Sequence, residues 1–249
     1  MMNTSITIKK FKIDDLPLSN SWLILGRIGS GKTTMMKNLL YFNKHKYCTA
    51  KIQTNDPEGY VDWCKIVDPI FVNLGYTTEG TKRYIDRCIK IMKTSEGQNS
   101  TESRSCLILD DIYDRKHFKS SEFIRLIKIM TRHSGSMIMF ASHYPLEVPP
   151  IVRENCMYIA IFDFDQPNTR KKLYENYGGC CGSKEIFNAI LDKFSINHNC
   201  IIINNKNHST NIMDKIFYYE PIEINKKWRF GCDECKLWND KRLKKDYKN

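Results

Sequence analysis

Eight consecutive residues, Gly26-Arg27-Ile28-Gly29-Ser30-Gly31-Lys32-Thr33, satisfy every fixed position of the phosphate-binding pattern G-x-x-x-x-G-K-S/T. Glycines at those spacings let a loop turn its backbone N–H groups around an anion, a conformation that a β-carbon resists. Lys32 then reaches the β- and γ-phosphates as a point charge, and the Thr33 hydroxyl suits Mg²⁺. The run from Gly26 to Thr34 is therefore expected to line a nucleotide polyphosphate. A second run, Cys106-Leu107-Ile108-Leu109-Asp110-Asp111, is apolar and ends in two carboxylates. At the mouth of an α/β sheet Asp110 can approach the metal that Thr33 holds, while Asp111 faces the γ-phosphate and positions or deprotonates the attacking water. A third run, Ser136-Met137-Ile138-Met139-Phe140-Ala141, ends in Ser142-His143, where a polar side chain can sense the γ-phosphate or the reacting water. For His143 the plainer reading, a hydrogen-bonded structural histidine, stays open.

These residues need strands that end together and helices that follow them. Residues 21–25 read as a buried strand before the loop and 34–43 as a helix after it, whose N-terminus adds partial positive charge at the phosphates. Residues 46–54 read as a strand closed by the turn Asn55-Asp56-Pro57, and 68–73 as a short strand. Helical spacing of apolar residues covers 78–93 and 122–132, and polar residues 94–105 read as a surface loop. A turn into a short helix at 148–155, a strand at 157–162, helices at 167–177 and 183–194, and a hairpin of 200–203 with 216–219 complete the pattern. Residues 4–11 alternate weakly as a first strand.

The 249 residues suit one α/β core, with 41% apolar and 12% aromatic residues to fill it. The 39 Lys and Arg against 28 Asp and Glu leave a charge of +11, which favours a polyanionic partner. No run of eighteen apolar residues and no apolar leader appear, so a soluble, intracellular protein without a membrane span is expected. Ten cysteines are then expected to stay reduced. Cys232 and Cys235 nevertheless have metal-ligand spacing, and Cys180 with Cys181 could add two thiolates, which leaves zinc as an open alternative. The chain divides by composition into a domain at 1–224 that carries the phosphate-binding run and a tail at 225–249, where nine basic residues surround Trp228, Phe230 and Trp238. The tail suits either contact with nucleic acid or a solvated segment anchored by its aromatic residues.

The ordered motifs GRIGSGKTT, CLILDD, TRHSGSMIMFASH and VPPIVREN resemble the FtsK/HerA superfamily and, within it, the genome-packaging ATPases of poxviruses, other large cytoplasmic DNA viruses, virophages and Polinton-like elements. The resemblance spans roughly residues 20–220. It implies a P-loop NTPase of α/β class with a mainly parallel central sheet flanked by helices, of the RecA-like, additional-strand type. It also implies ATP with Mg²⁺ as cofactors and a homo-oligomeric ring around double-stranded DNA with ATP at subunit interfaces. Capsid proteins at a portal or vertex are further implied partners. The expected location is the host cytoplasm at the viral assembly site, with virion association as an extension. Arg132 would be the arginine finger supplied in trans, with Arg153 as second choice. A surface arginine at a helix C-terminus is the alternative for Arg132. One departure is His143, where the family often carries glutamine or another amide.

The leading expectation is a DNA-translocating ATPase that packages a viral genome into a preformed capsid. A small-molecule kinase shares the phosphate loop, but a kinase must exclude water, and the pair Asp110-Asp111 suits activating it. A nucleotide-gated module that binds DNA or capsid and turns over poorly is the reading from a different class. No Leu-Ser-Gly-Gly-Gln run is present, which removes a transporter ATPase.

Overall fold

In the computed structural model of the protein, residues 6–94, 104–111, 115–130, 135–207, 209 and 211–246 are described. The apolar runs become strands: β1 (Lys9–Lys10), β2 (Asn20–Leu25), β3 (Thr49–Thr54), β4 (Val72–Leu74), β5 (Ser105–Asp110), β6 (Met137–Ser142), β7 (Tyr158–Phe162), β8 (Cys200–Asn204) and β9 (Ile216–Tyr219). They join one sheet in the order β1-β9-β8-β7-β2-β6-β5-β3-β4. Every neighbouring pair is parallel except the two that β8 makes, with β7 and with β9. Parallel strands need long crossovers, so helices cover both faces.

Side chains that alternate along each strand separate two apolar cores. Trp22 and Ile24 of β2, with Cys106 and Ile108 of β5, meet Met35, Met36, Leu39 and Leu40 of the helix Lys32–Asn43 and Trp63 of the helix Pro57–Ile66. Leu23 and Leu25, with Leu107 and Leu109, meet Tyr84 and Ile85 of the helix Thr78–Met92 on the other face. Phe123 of Ser121–Arg125, Val152 of Pro150–Asn155, Leu173 of Pro167–Tyr177 and Phe187 of Lys184–Phe194 complete that second layer.

The placement of β6 between β2 and β5 matters for chemistry. It is the additional strand that the resemblance implied, and its register sets Ser142 opposite Leu25. The phosphate loop, Asp110 and Ser142 thus leave the sheet at the same, C-terminal, edge.

Several elements differ from the sequence reading. Residues 57–66 form a helix where a turn alone was expected, because the Asp56 carboxylate caps it by accepting from Glu58 N and Gly59 N at 3.1 and 3.0 Å and Pro57 opens its first turn. Residues 44–46 are a 3₁₀ turn, so β3 starts later, and 69–71 are another, which leaves β4 three residues long. Leu126–Met130 widens into a π-helix after Ser121–Arg125. The expected loop at 94–105 and the end of the 122–132 helix, Arg132 included, lie largely outside the described residues. Beyond residue 225 the chain carries a helix, Asp233–Asp246. Phe230 is buried, its N–H donating to Ile66 O at 2.8 Å, and Trp228 meets Tyr41 edge-on at 5.2 Å.

Candidate active site

A cleft of about 880 Å³ opens at the C-terminal edge of β2, β5 and β6. The phosphate loop forms one wall, with Gly29 and Gly31 at φ of 73° and 106°, in the left-handed region that side chains disfavour. A β-carbon on Gly26 would collide with Ser30 Oγ and come within 2.9 Å of Phe162 Cβ. The loop feeds directly into the helix Lys32–Asn43, whose first N–H groups and dipole face the same space.

Lys32 is buried, and its ammonium donates to the carbonyls of Gly26 and Arg27, each at 2.9 Å. Its third partner is Nδ1 of His143 at 2.7 Å. An ammonium offers only donors, which makes Nδ1 the acceptor and leaves the ring proton on Nε2. Nε2 lies 2.5 Å from Oδ1 of Asp111, a buried oxygen that it pairs with. Lys32, His143 and Asp111 therefore form a continuous chain of contacts along the cleft floor. Burial lowers the Lys32 pKa to about 8, against the opposing pull of Asp111 and Asp110.

Asp110 is held behind this chain. Trp63 Nε1 donates to its Oδ2 at 3.1 Å, and burial raises its pKa to about 6 although that bond and Lys32 favour the anion. Asp111 sits just past the strand at φ 60°, a conformation that aspartate tolerates better than most residues. Asn55 supports it there: its side-chain amide donates to Asp111 O at 2.8 Å. Thr33 and Asp110 both line the cleft beside Lys32. A hydroxyl and a carboxylate whose burial disfavours its own charge are a donor set that fits a hard divalent cation.

The structure adds residues that the sequence reading did not place in the site. Asn55, Glu58, Tyr144, Asn197, His198 and Glu223 also line the cleft. Asn197 and His198 have φ of 54° and 64°, and Asn199 N donates to Ile196 O at 3.0 Å, a tight turn that sets His198 O near Gly31. Glu223 accepts from Thr34 Oγ1 at 3.1 Å. Its segment is clamped by the buried Asn38, which donates to Ile222 O at 2.7 Å and accepts from Ile222 N and Tyr219 OH at 2.9 and 3.0 Å. Among the residues expected to bind nucleotide, Arg27 pairs with Asp165 at 2.6 Å, and the Ile28 side chain is 85% exposed at the loop tip. Arg153 donates to Asn176 and lies over the Tyr177 ring at 5.6 Å, both in its own chain. Among the described residues no cluster of three or more His, Cys, Asp or Glu side chains could hold a metal ion, and no helix is long and apolar enough to cross a membrane.

The same architecture occurs in solved viral proteins. The genome packaging NTPase B204 of Sulfolobus turreted icosahedral virus 2, in complex with AMPPCP, aligns over 83% of this chain and 100% of its own, with a TM-score of 0.55 at 18% identity. B204, the DNA-packaging ATPase of Sulfolobus turreted icosahedral virus, aligns over 84% and 100% with a TM-score of 0.57 at 16% identity. The likeness establishes the α/β P-loop ATPase fold that the motifs implied. An uncharacterised protein of Acanthamoeba polyphaga mimivirus is 26% identical over 247 residues, 96% of this chain and 85% of that protein. The family profile described as Poxvirus A32 protein matches residues 8–211, and the chain belongs to that family.

Proposed function

We propose that this protein is an ATP-hydrolysing motor that moves double-stranded DNA, packaging a viral genome into a preformed capsid at an assembly site in the host cytoplasm. The observation that carries the reading is the chain Lys32–His143–Asp111 laid along a glycine-lined phosphate cleft. Lys32 exchanges its loop carbonyls for the β- and γ-phosphate oxygens when ATP enters. Thr33 and Asp110 would hold Mg²⁺, which would neutralise charge on the polyphosphate. The Asp111 carboxylate, which lines the cleft, takes the proton of the attacking water as the water oxygen bonds the γ-phosphorus and ADP leaves. His143 Nε2 orients that carboxylate and can donate to a γ-phosphate oxygen as charge develops. In a homo-oligomeric ring Arg132 of a neighbouring subunit completes the site, neutralising the transferred phosphoryl group.

A basic groove of about 790 Å³ adjoins the cleft and supports the polyanion partner. Lys37, Lys65, Lys226, Lys227, Arg229 and Lys236 line it around Trp228, and it shares Thr34 and Glu223 with the nucleotide cleft. DNA seated there would press on the residues beside the phosphate loop. The names of the B204 proteins favour the packaging role over other DNA motors.

Steady-state phosphate release with and without duplex DNA tests the reading. A motor hydrolyses ATP with water as acceptor and is accelerated by duplexes of unrelated sequence. A kinase transfers phosphate to a small molecule and ignores DNA, and a binding module shows neither behaviour; either result overturns the proposal.

A further inference from the structure

The cysteines at the start of the last helix have no part in the nucleotide cleft, yet their surroundings are organised. Cys232 precedes Asp233–Asp246 and accepts from Lys236 N at 3.1 Å, so it caps the helix and places Cys235 within the first turn. Spacing of three along a helix puts the two cysteines on one face, and Cys48 adds to the electrostatic surroundings of both. Cys232 N–H donates to Cys48 O at 2.8 Å, and Gly231, at φ 121°, permits that approach. Arg87 adds a cation: its Nη2 is 3.8 Å from Cys48 Sγ, and its Nη1 is buried with no hydrogen-bond partner among the described residues. Lys44, Lys227, Arg229 and Lys236, with the acidic Asp233 and Glu234, line the opening through which Cys232 meets solvent.

We propose that Cys232 and Cys235 form a redox-active dithiol that closes to an intramolecular disulfide by exchange with a low-molecular-weight disulfide such as oxidised glutathione. Two residues between the cysteines, a helix N-terminus and neighbouring cations are the surroundings that raise the thiolate fraction of an attacking cysteine. Cys232, which lines that opening, is the attacker. Burial pushes Cys235 up to about 12, which keeps its proton available to hydrogen-bond the Cys232 sulfur. Cys232 thiolate bonds one sulfur of the glutathione disulfide, the S–S bond breaks, and one glutathione thiolate leaves. Cys235 then loses its proton to solvent and attacks the Cys232 sulfur, expelling the second glutathione thiolate. Two protein thiols are oxidised, one external disulfide is reduced to two thiols, and the two protons released meet the two thiolates formed. The product staples the first turn of the terminal helix where it meets Cys48 and the basic groove.

The full-length protein is equilibrated in buffers of stepped reduced-to-oxidised glutathione ratio, quenched in acid, alkylated and mapped by mass spectrometry. The peptide holding both cysteines should lose two hydrogens in a single two-electron transition while Cys48 stays alkylatable. In the reduced protein Cys232 should alkylate several-fold faster than Cys235, whose thiol burial keeps protonated. Cys235→Ser should trap a mixed glutathione disulfide on Cys232, and Cys232→Ser should leave Cys235 unmodified. A disulfide to Cys48, oxidation only in unfolded protein, or equal alkylation of the two cysteines overturns the proposal. Circular dichroism of each variant separates these results from misfolding, and ATP turnover is not part of the readout.

Discussion

Burying a charge costs stability, and Asp110 shows the size of that cost. Its carboxyl titrates near 6 rather than at the ordinary 3.8 because burial disfavours the anion. Between those values the native state binds more protons than the unfolded chain, so this contribution falls as pH rises through about 4 to 6 and is fully lost above it. Asp110→Asn keeps an acceptor for Trp63 and removes the charge. In nucleotide-free protein with EDTA it should gain about 2 to 3 kcal/mol at pH 7, a melting rise of roughly 4 to 8 °C, with little difference from wild type at pH 4. Denaturant and thermal melts across that range check it; equal pH profiles for the two proteins would show that Asp110 carries no such penalty. Asp110, Asp111 and His143 were legible in the sequence because each ends an apolar run, and parallel strands end together. Trp63 and Asn55, which hold the two aspartates, were not, since their partners lie 47 and 56 residues away.

Among the elements, the phosphate-loop helix and the segment after β9 depend on one another. Asn38 lies on the buried face of the helix, yet its amide serves the backbone of Ile222 twice and the Tyr219 hydroxyl once. Asn38→Ala leaves those groups without partners, a loss of about 2 to 4 kcal/mol. Hydrogen exchange should then speed up at the Ile222 amide more than in β2; unchanged protection would show that the strap is held by other contacts. Strands β2, β5, β6, β7 and β8 could be read from apolar runs because each is buried on both faces. The helix Pro57–Ile66 escaped because only Gly59 and Trp63 are buried along it, too few for a periodic signal. Its start was nonetheless written in Asp56-Pro57, a cap followed by a proline at the first position. The edge strand β1 pairs over two residues only, so a longer alternating stretch overstated it.

At the scale of the whole molecule, the proposed ring requires that each site borrow from its neighbour. Lys32→Ala and Arg132→Ala should each be nearly inactive alone, whereas mixed oligomers contain interfaces with an intact loop facing an intact finger. Partial recovery of turnover on mixing, rising with protein concentration, is expected; no recovery at any ratio would show that Arg132 does not act in trans. The basic groove and the cleft share a wall at Thr34 and Glu223, so a polyanion bound there as proposed would act on the nucleotide site through packing. The central claim is that Asp111 makes water the acceptor of the γ-phosphate. Phosphate release and ATP affinity measured side by side for wild type, Lys32→Ala and Asp111→Asn test it most directly. Asp111→Asn should bind ATP as well as wild type and lose turnover by roughly 10² or more, while Lys32→Ala loses affinity. Near-normal hydrolysis by Asp111→Asn, with binding intact, would contradict the account.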